Sequence, residues 1–439
     1  MHAEAAADPA AYWAKLALNL KWDKPFEQVI DTSDKYLHRW FPDGEINICY
    51  NCVDRHVEAG RGDSVCFYED SVYTGVQKAW TYAEAQNRVG RLANIFTKQF
   101  GIKKGDRILI YMPMIISSAW AMLACARIGA IHSVVFGGFS AKELANRIDD
   151  CNPKLIMLAS AGIEPGKHIK YAPIIEEALS FCKKIENASD TIPRLVVQRR
   201  ELDGKLATDD VDPAKYHDYD KLMEAEQEVA ACVPVLSTHP LYILYTSGTT
   251  GEPKGVVRDQ GGTAVGLDWC MAHVFNVHHD SVHFAGSDIG WVVGHSFIVY
   301  GPLLRGSASV FFEGKPVVPD PGVMWQKCEQ YKVTSLYMAP TAVRVIKKMD
   351  YDGDYFKKYD TSSVKTWSLV GERCDPDTVK WMHKYLPDVI INDTWWQTET
   401  GWPIAANLPN FEVWGKILPT LPGSVTRPVP GYNVQVFNE

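Results

Sequence analysis

Short, largely apolar runs broken by glycine or proline set the pattern of the chain between residues 107 and 136. The run 107–112 stops at Pro113, a stretch uncharged as far as Ala126 follows to Ile128, Gly129 closes it, and a second largely apolar run covers 131–136. This predicts a strand over 107–112, a helix over 115–128 and a strand over 131–136. Elements apolar on every side are expected of a βαβ crossover covered on both faces. The stretch 108–126 has about the length a bilayer needs, but Pro113 divides it, so it reads as a buried crossover and not as a membrane span.

The same plan recurs on either side. Thr81 followed by Glu84 predicts a capping box opening a helix whose apolar positions continue through Val89, Leu92, Ala93 and Phe96. After the strand near Val134 come Gly137 and Gly138, then a helix with Ser140 as N-cap and Glu143 completing a second capping box. A strand over 154–159, a helix over 174–182 and a strand over 194–198 extend the alternation, which implies a largely parallel sheet covered on both faces. Residues 199–235 are charged, with an acidic, helix-prone stretch over 203–229. They read as a surface segment between two α/β halves.

The second half changes character at one point. An apolar strand over 241–245, bounded by Pro240, runs into TSGTTGEPKG (246–255). Glycines and small hydroxyls in such density can expose backbone N–H groups around an anion, with Lys254 adding charge. The spacing is not that of a Walker A loop, since Pro253 precedes Lys254 and Gly255 follows it. A solvated surface turn is the plainer alternative.

Three further stretches follow: SDIGWVVGHSFIVYGP (287–302), WSLVGER (367–373) and VIINDTWWQTETG (389–401). In the first, Gly290 and Gly294 flank Trp291, Val292 and Val293, a composition suited to a small apolar pocket, while His295 is either part of that pocket or a core histidine. The other two are short apolar strands that end in polar residues, the place where open α/β sheets bind ligands. Glu399 offers a hard oxygen ligand of the kind Mg2+ takes beside a phosphate. A polar turn beside two core tryptophans would also account for 393–401.

With 439 residues, 46% of them hydrophobic, the chain can bury a sizeable core in two or three domain-sized units. Its net charge of −8 argues against a nucleic-acid or anionic-membrane partner. Residues 8–50 are rich in aromatics, predict a helix starting near Asp8 and Pro9, and read as a lid packed on a larger body. Ten cysteines without a framework fit free thiols of a reducing compartment. Cys49 and Cys52 form the one CxxC spacing and read as strand-adjacent core cysteines in preference to a metal or redox pair. No basic, apolar leader opens the chain, so an intracellular, soluble protein is expected, without a choice between cytoplasm and mitochondrial matrix.

The order of these stretches adds more than any of them alone. TSGTTGEPKG resembles the phosphate loop of the adenylate-forming superfamily, and with the other three stretches and the aromatic start the chain resembles its acetyl-CoA and propionyl-CoA synthetase branch. The resemblance implies an α/β fold: the large N-terminal domain of that superfamily, with two βαβ sheet subdomains and a smaller β-rich one. It divides the chain into an extension over 1–75 and an AMP-binding domain over 76–439, without the family's small C-terminal lid domain.

By that resemblance Thr246, Ser247, Gly248, Thr249, Thr250, Gly251 and Lys254 hold the ATP phosphates. Gly371, Glu372 and Arg373 border the adenine, and Asp393, Thr394, Trp395, Trp396 and Gln397 line the nucleotide cleft. Thr398 contacts the α-phosphate and Glu399 helps hold Mg2+. Thr246, Lys254, Thr398 and Glu399 form the implied catalytic set. Val292, Val293, Val370 and Trp396 wall the acyl pocket, and Gly137, Gly138 and Lys167 fall where coenzyme A is bound.

The implied reaction joins ATP, a short carboxylate and coenzyme A through an acyl-adenylate, releasing diphosphate and then AMP. Propionate is favoured over acetate, because Val293 stands where acetate-type members have threonine and Gly371 to Cys374 and Gly314 to Pro316 look like the propionate type. An acetate-specific enzyme, an adenylating enzyme of different output and a non-catalytic nucleotide-binding protein are the alternatives. The implied partners are small molecules only, with no nucleic acid and no membrane span.

Overall fold

The computed structural model describes residues 1–199, 214–247, 253–409, 412–413, 416–417 and 421–437. Its principal strands in chain order are β1 (Val65–Ser71), β2 (Gln77–Thr81), β3 (Arg107–Tyr111), β4 (Ile131–Val134), β5 (Leu155–Ala159), β6 (Arg194–Val197) and β7 (Tyr216–Asp218). There follow β8 (Pro240–Ser247), β9 (Pro253–Asp259), β10 (Val282–Gly286), β11 (Ala308–Glu313), β12 (Ser335–Met338), β13 (Thr366–Leu369) and β14 (Ile390–Asp393).

They form two seven-stranded sheets. The first runs β7-β6-β5-β3-β4-β8-β9 and the second β14-β13-β12-β10-β11-β1-β2. Pairing is parallel in each except at one edge, where a hairpin closes it: β8 with β9 in the first, β1 with β2 in the second. Each hairpin stands where the chain enters or leaves a sheet without a helical crossover, which antiparallel pairing alone permits.

The apolar runs occupy the inner strands, as their pattern requires. Every residue of β5, β12 and β13 is buried. The helix Ile116–Ile128 is buried at all but one position and stops at Gly129, whose φ of 70° is left-handed. Glu84 N donates to Thr81 Oγ1 at 3.2 Å and Thr81 N to Glu84 Oε2 at 2.9 Å, the reciprocal box expected there.

The second box forms only by half. Glu143 N donates to Ser140 Oγ at 3.4 Å, but the Glu143 carboxylate takes the Arg147 guanidinium at 2.9 Å one turn on. A full charge at i+4 outcompetes the N-cap amide for the same oxygen. The helix expected over 174–182 is Tyr171–Phe181.

Part of the charged segment belongs to the sheet. Residues 200–213 lie outside the described residues, but β7 pairs in parallel with β6 and extends the first sheet. Of the expected acidic helix the described part holds only Tyr219–Ala225, capped by Asp218. Cross-strand hydrogen bonding, invisible in a polar composition, makes a strand of what reads as a surface linker.

The aromatic start packs as a cover. Asp8 caps the helix Pro9–Ala17, and Trp13 meets Trp40, Trp269 and Trp402 edge-on at centroid distances of 6.2, 6.0 and 5.7 Å. Cys49 and Cys52 are buried at the start of a helical segment that follows the short strand Glu45–Ile46, and they diverge. Cys52 Sγ points to the Tyr300 carbonyl at 3.7 Å, whereas Cys49 faces Cys232, Asp54 and Arg127. Although the thiols of Cys49 and Cys232 and the Asp54 carboxylate lie within 4.8 Å of one another, Arg127 holds both Asp54 oxygens at 2.8 and 2.9 Å, filling the place a cation would take.

The two sheets are joined by a buried ion pair. Arg199, two residues beyond β6, binds both carboxylate oxygens of Glu313 at the end of β11, at 2.7 and 2.8 Å, and Ser71 Oγ donates to the same carboxylate at 2.7 Å. The two side chains are 8% and 6% exposed. Glu313→Ala strands the guanidinium in the interior and should cost about 3–5 kcal/mol. The urea unfolding midpoint checks this, and the double change Arg199→Met/Glu313→Leu should recover most of the loss.

Candidate active site

Parallel pairing from β14 through β13 and β12 to β10 sets the carboxyl ends of four adjacent strands on one edge of the second sheet. The three stretches singled out downstream of the hairpin all emerge there. Val370 to Arg373 follow β13, Thr394 to Glu399 follow β14, and Val292 and Val293 form a short helix after β10. Residues more than a hundred positions apart converge because the strands that carry them are neighbours.

Val292, Val293, Val370 and Trp396 are buried, 7–9% exposed, and form part of the main apolar core. The Trp396 indole meets Phe297 edge-on at 5.2 Å, with an interplanar angle of 85°, and donates its N–H to the Tyr337 hydroxyl at 2.7 Å. Trp395, next to it, turns outward and is 47% exposed.

The rim is polar. Gly371 has a φ of 97°, and a Cβ at this position would meet nothing within 4 Å, so glycine is required here by its backbone conformation and not by crowding. Glu372 accepts from Thr341 Oγ1 at 2.7 Å and from Arg344 at 2.5 Å, and Arg344 holds its carboxyl below the usual range. Arg373 Nε donates to the Gly423 carbonyl at 2.9 Å. Gln397 is exposed.

Asp393 is the buried charge of this edge. One oxygen accepts from Cys374 N at 3.0 Å, and the other has no partner among the described residues. Burial pushes its carboxyl up to about 6.

Thr398 presents its carbonyl to Arg258 at 2.8 Å. Glu399 is exposed and borders a cavity of about 710 Å3, whose walls include Trp13, Trp40, Arg258, Trp402 and Tyr432. No local sequence signal marks this cavity, formed where the aromatic start meets β9, because its walls come from several separated stretches. Val292, Val293, Val370 and Trp396 are not among the residues that line it.

The flanks of the glycine-rich stretch pair antiparallel, as the end of β8 and the start of β9. Thr246 on β8 stands opposite Lys254 on β9, and the backbone of Ser247 pairs with Pro253. Lys254 therefore projects from a strand, exposed, and not from the loop itself. Gly248, Thr249, Thr250 and Gly251 lie outside the described residues.

Gly137 and Gly138 have a packing reason to be glycine. A Cβ on Gly137 would lie 2.3 Å from the Tyr171 hydroxyl, and one on Gly138 2.5 Å from the Phe136 ring. The Tyr171 hydroxyl also lies 2.5 Å from where Gly162 would carry a Cβ. The hairpin of Ala161–Glu164 and Lys167–Lys170 thus abuts the Gly137 turn, with Lys167 exposed opposite Glu164.

His295 is a core histidine. Fully buried, it stacks on His132 at 5.3 Å and lies tilted against Tyr242 at 4.5 Å. Its Nδ1 lies 3.1 Å from the Trp291 carbonyl, and burial pushes its pKa down to about 4, so the ring is neutral at physiological pH.

Family models match nearly the whole length: "AMP-binding enzyme" over residues 54–439 and "Acetyl-coenzyme A synthetase N-terminus" over 1–52. The chain belongs to the AMP-binding enzyme family. It is 44% identical over 438 residues to human "Acyl-CoA synthetase short-chain family member 3, mitochondrial", covering all of this chain and 62% of that protein. It is 41% identical over 435 residues to "Propionate--CoA ligase" of Escherichia coli K12, covering 98% of this chain and 66% of the relative. The acetoacetyl-CoA synthetase of Streptomyces lividans shares the fold, with a TM-score of 0.84 at 22% identity over 97% of this chain and 62% of its own. The chain thus spans a little under two thirds of the length of these proteins. Among the described residues no helix is long and apolar enough to cross a membrane.

Asp393 gives the site a pH signature. A carboxyl raised from 3.8 to about 6 favours the folded state fully below 3.8 and loses that advantage as pH rises through about 6. At pH 8 the native state then carries a buried carboxylate with one unpartnered oxygen. Asp393→Asn keeps an acceptor for Cys374 N and removes the charge. It should stabilise the chain at pH 8 by about 1–2 kcal/mol, after allowance for solvent screening, with no gain near pH 4. Thermal unfolding of both proteins across that range checks it.

Proposed function

We propose that this chain is the nucleotide- and acid-binding part of an AMP-forming short-chain acyl-CoA synthetase, with propionate as the favoured acid and acetate next. The observation that carries the reading is the position of Val370 and of the buried Trp396 at the hydrogen-bonded carboxyl ends of β13 and β14, with the indole on Phe297 just past the Val292–Gly294 helix, beside the polar Gly371 to Arg373 and Asp393 to Glu399. A small acid placed against the indole would have its carboxylate facing the strand ends, where an ATP α-phosphate would lie.

The proposed chemistry has two steps. A carboxylate oxygen attacks the α-phosphorus, the bond to the β-phosphate oxygen breaks, and diphosphate leaves with an acyl-adenylate formed. The thiolate of coenzyme A then attacks the acyl carbon, and AMP leaves with the electron pair of the carbon–oxygen bond. The protein's part is positioning and charge compensation. Thr246 and Lys254, face to face on the hairpin, are assigned to the phosphates, with Thr398 at the α-phosphate. Gly137, Gly138 and Lys167 are assigned to the approach of coenzyme A.

Glu399 suits Mg2+, being a carboxylate at a cavity wall with no partner among the described residues. When bound, Mg2+ would neutralise charge on the phosphates.

The leaning to propionate rests on Val293, with Gly371 to Cys374 and Gly314 to Pro316, since a methyl in place of a threonine hydroxyl leaves only apolar contacts for the added methylene. Such a pocket separates acids one carbon apart by only about 1–3 kcal/mol. Propionate and acetate should therefore both be accepted.

Binding of alkyl esters of AMP, stable stand-ins for the acyl-adenylate, tests the reading by calorimetry. The chain should bind propyl-AMP tightly and pentyl-AMP poorly. Trp396→Gly should reverse that order by about tenfold or more, since two buried methylenes contribute about 0.8 kcal/mol each. No binding of any ester, or an unchanged order in Trp396→Gly, would remove the pocket from this place.

A further inference from the structure

We propose that Tyr337 is a positioning residue for acid size, acting through the Trp396 indole. The inference rests on the acyl-pocket assignment above and names a residue that assignment does not include.

The hydrogens at this spot can be assigned one by one. Thr394 Oγ1 lies 2.6 Å from the Leu369 carbonyl, which can only accept, so the threonine hydroxyl donates there. Tyr337 Oη lies 3.0 Å from the same Thr394 oxygen, whose hydrogen is already committed, so the tyrosine donates to it. The Trp396 indole is a donor only, and at 2.7 Å it gives its N–H to Tyr337 Oη. The chain therefore runs one way, from indole N–H to tyrosine to threonine to the carbonyl at the end of β13. Reversing any link would leave two hydrogens facing each other.

Each member is fixed to a different strand. Tyr337 lies on β12, Leu369 closes β13 and Thr394 follows β14. Leu369 O also accepts from Thr394 N at 3.1 Å, and Val370, the next residue, donates its N–H to the Met338 carbonyl at 3.2 Å. Two assigned pocket walls, Val370 and Trp396, are in this way referred to the same three strand ends.

The tyrosine ring cannot drift. It is fully buried, edge-on to Phe275 at 4.7 Å and to Phe297 at 5.4 Å, and Phe297 in turn abuts the indole. A buried indole is held to a few staggered rotamers. The one that satisfies its N–H is set by Tyr337 Oη, because an unpaired buried donor is costly. The hydroxyl at position 337 thus decides how far the tryptophan reaches across the pocket and how long an acid is admitted.

The variant Tyr337→Phe keeps the ring and removes only the acceptor. Freed from it, the indole should adopt more than one orientation, and the ratio of propyl-AMP to pentyl-AMP affinity measured by calorimetry should fall by about threefold to tenfold. In a Trp396→Gly background the same substitution should leave the ratio unchanged, since no indole remains to be held. A role in stability alone would lower the unfolding temperature and leave the ratio as it was, and that result overturns the proposal. So does an equal effect of Tyr337→Phe with and without Trp396, which would mean it acts by another route. If the parent chain binds neither ester, the acyl-pocket reading itself fails and this inference with it. Binding by the parent with no change in ratio in Tyr337→Phe removes the inference alone.

Discussion

Parallel pairing of the second sheet is the constraint from which the site follows. In a parallel ladder every strand ends on the same side, and the loop after each strand must turn back over a helix before the next begins. Four neighbouring strands, β14, β13, β12 and β10, therefore deliver their carboxyl ends to one edge. Polar backbone groups that run out of ladder partners there are free to bind side chains or ligands. The Leu369 carbonyl, taken by both Thr394 N and Thr394 Oγ1, is one such group.

The interior handles charge in two ways. Two buried pairs of opposite charge, Arg199 with Glu313 and Arg127 with Asp54, are bidentate and further hydrogen-bonded, by Ser71 and Gln86. Such pairs contribute fixed geometry more than net stability, because desolvation offsets much of the attraction. Where a carboxylate is buried without a cation bound to it, as at Asp288 and Asp393, burial pushes its pKa up to about 6. Both lie in the stretches that leave the carboxyl ends of the second sheet. The thiols follow the same physics, since burial raises Cys52, Cys66, Cys125, Cys270 and Cys328, which leaves them protonated and unreactive at neutral pH.

Aromatic residues divide the remaining work. Trp13, Trp40, Trp269 and Trp402 seal the N-terminal segment to the body by edge-to-face contacts, and Trp13, Trp40 and Trp402, with Arg258 and Tyr432, enclose the cavity beside Glu399. Trp396 and Trp395, adjacent in sequence, face opposite ways, one buried and one half exposed. Alternation along an extended backbone separates them, so the pair does not form a single wall.

The order of apolar runs and breaks was enough to determine the α/β class, the crossover of β3, its helix and β4, the cap at Thr81 and the stop at Gly129, because each depends on neighbours within a few residues. The motif stretches were likewise legible, since their glycines, hydroxyls and tryptophans are set by local chemistry. Tertiary structure alone decided the rest. That β7 joins a sheet, that Glu143 prefers Arg147 to the helix cap, that Lys254 rides on a strand, and that Cys49 and Cys52 point apart all depend on which partner lies across space. Tyr337 shows the limit most plainly: nothing in SLYM (335–338) marks its hydroxyl, and its importance arises only when β12 is laid beside β13 and β14 and a tryptophan 59 residues away brings it an N–H.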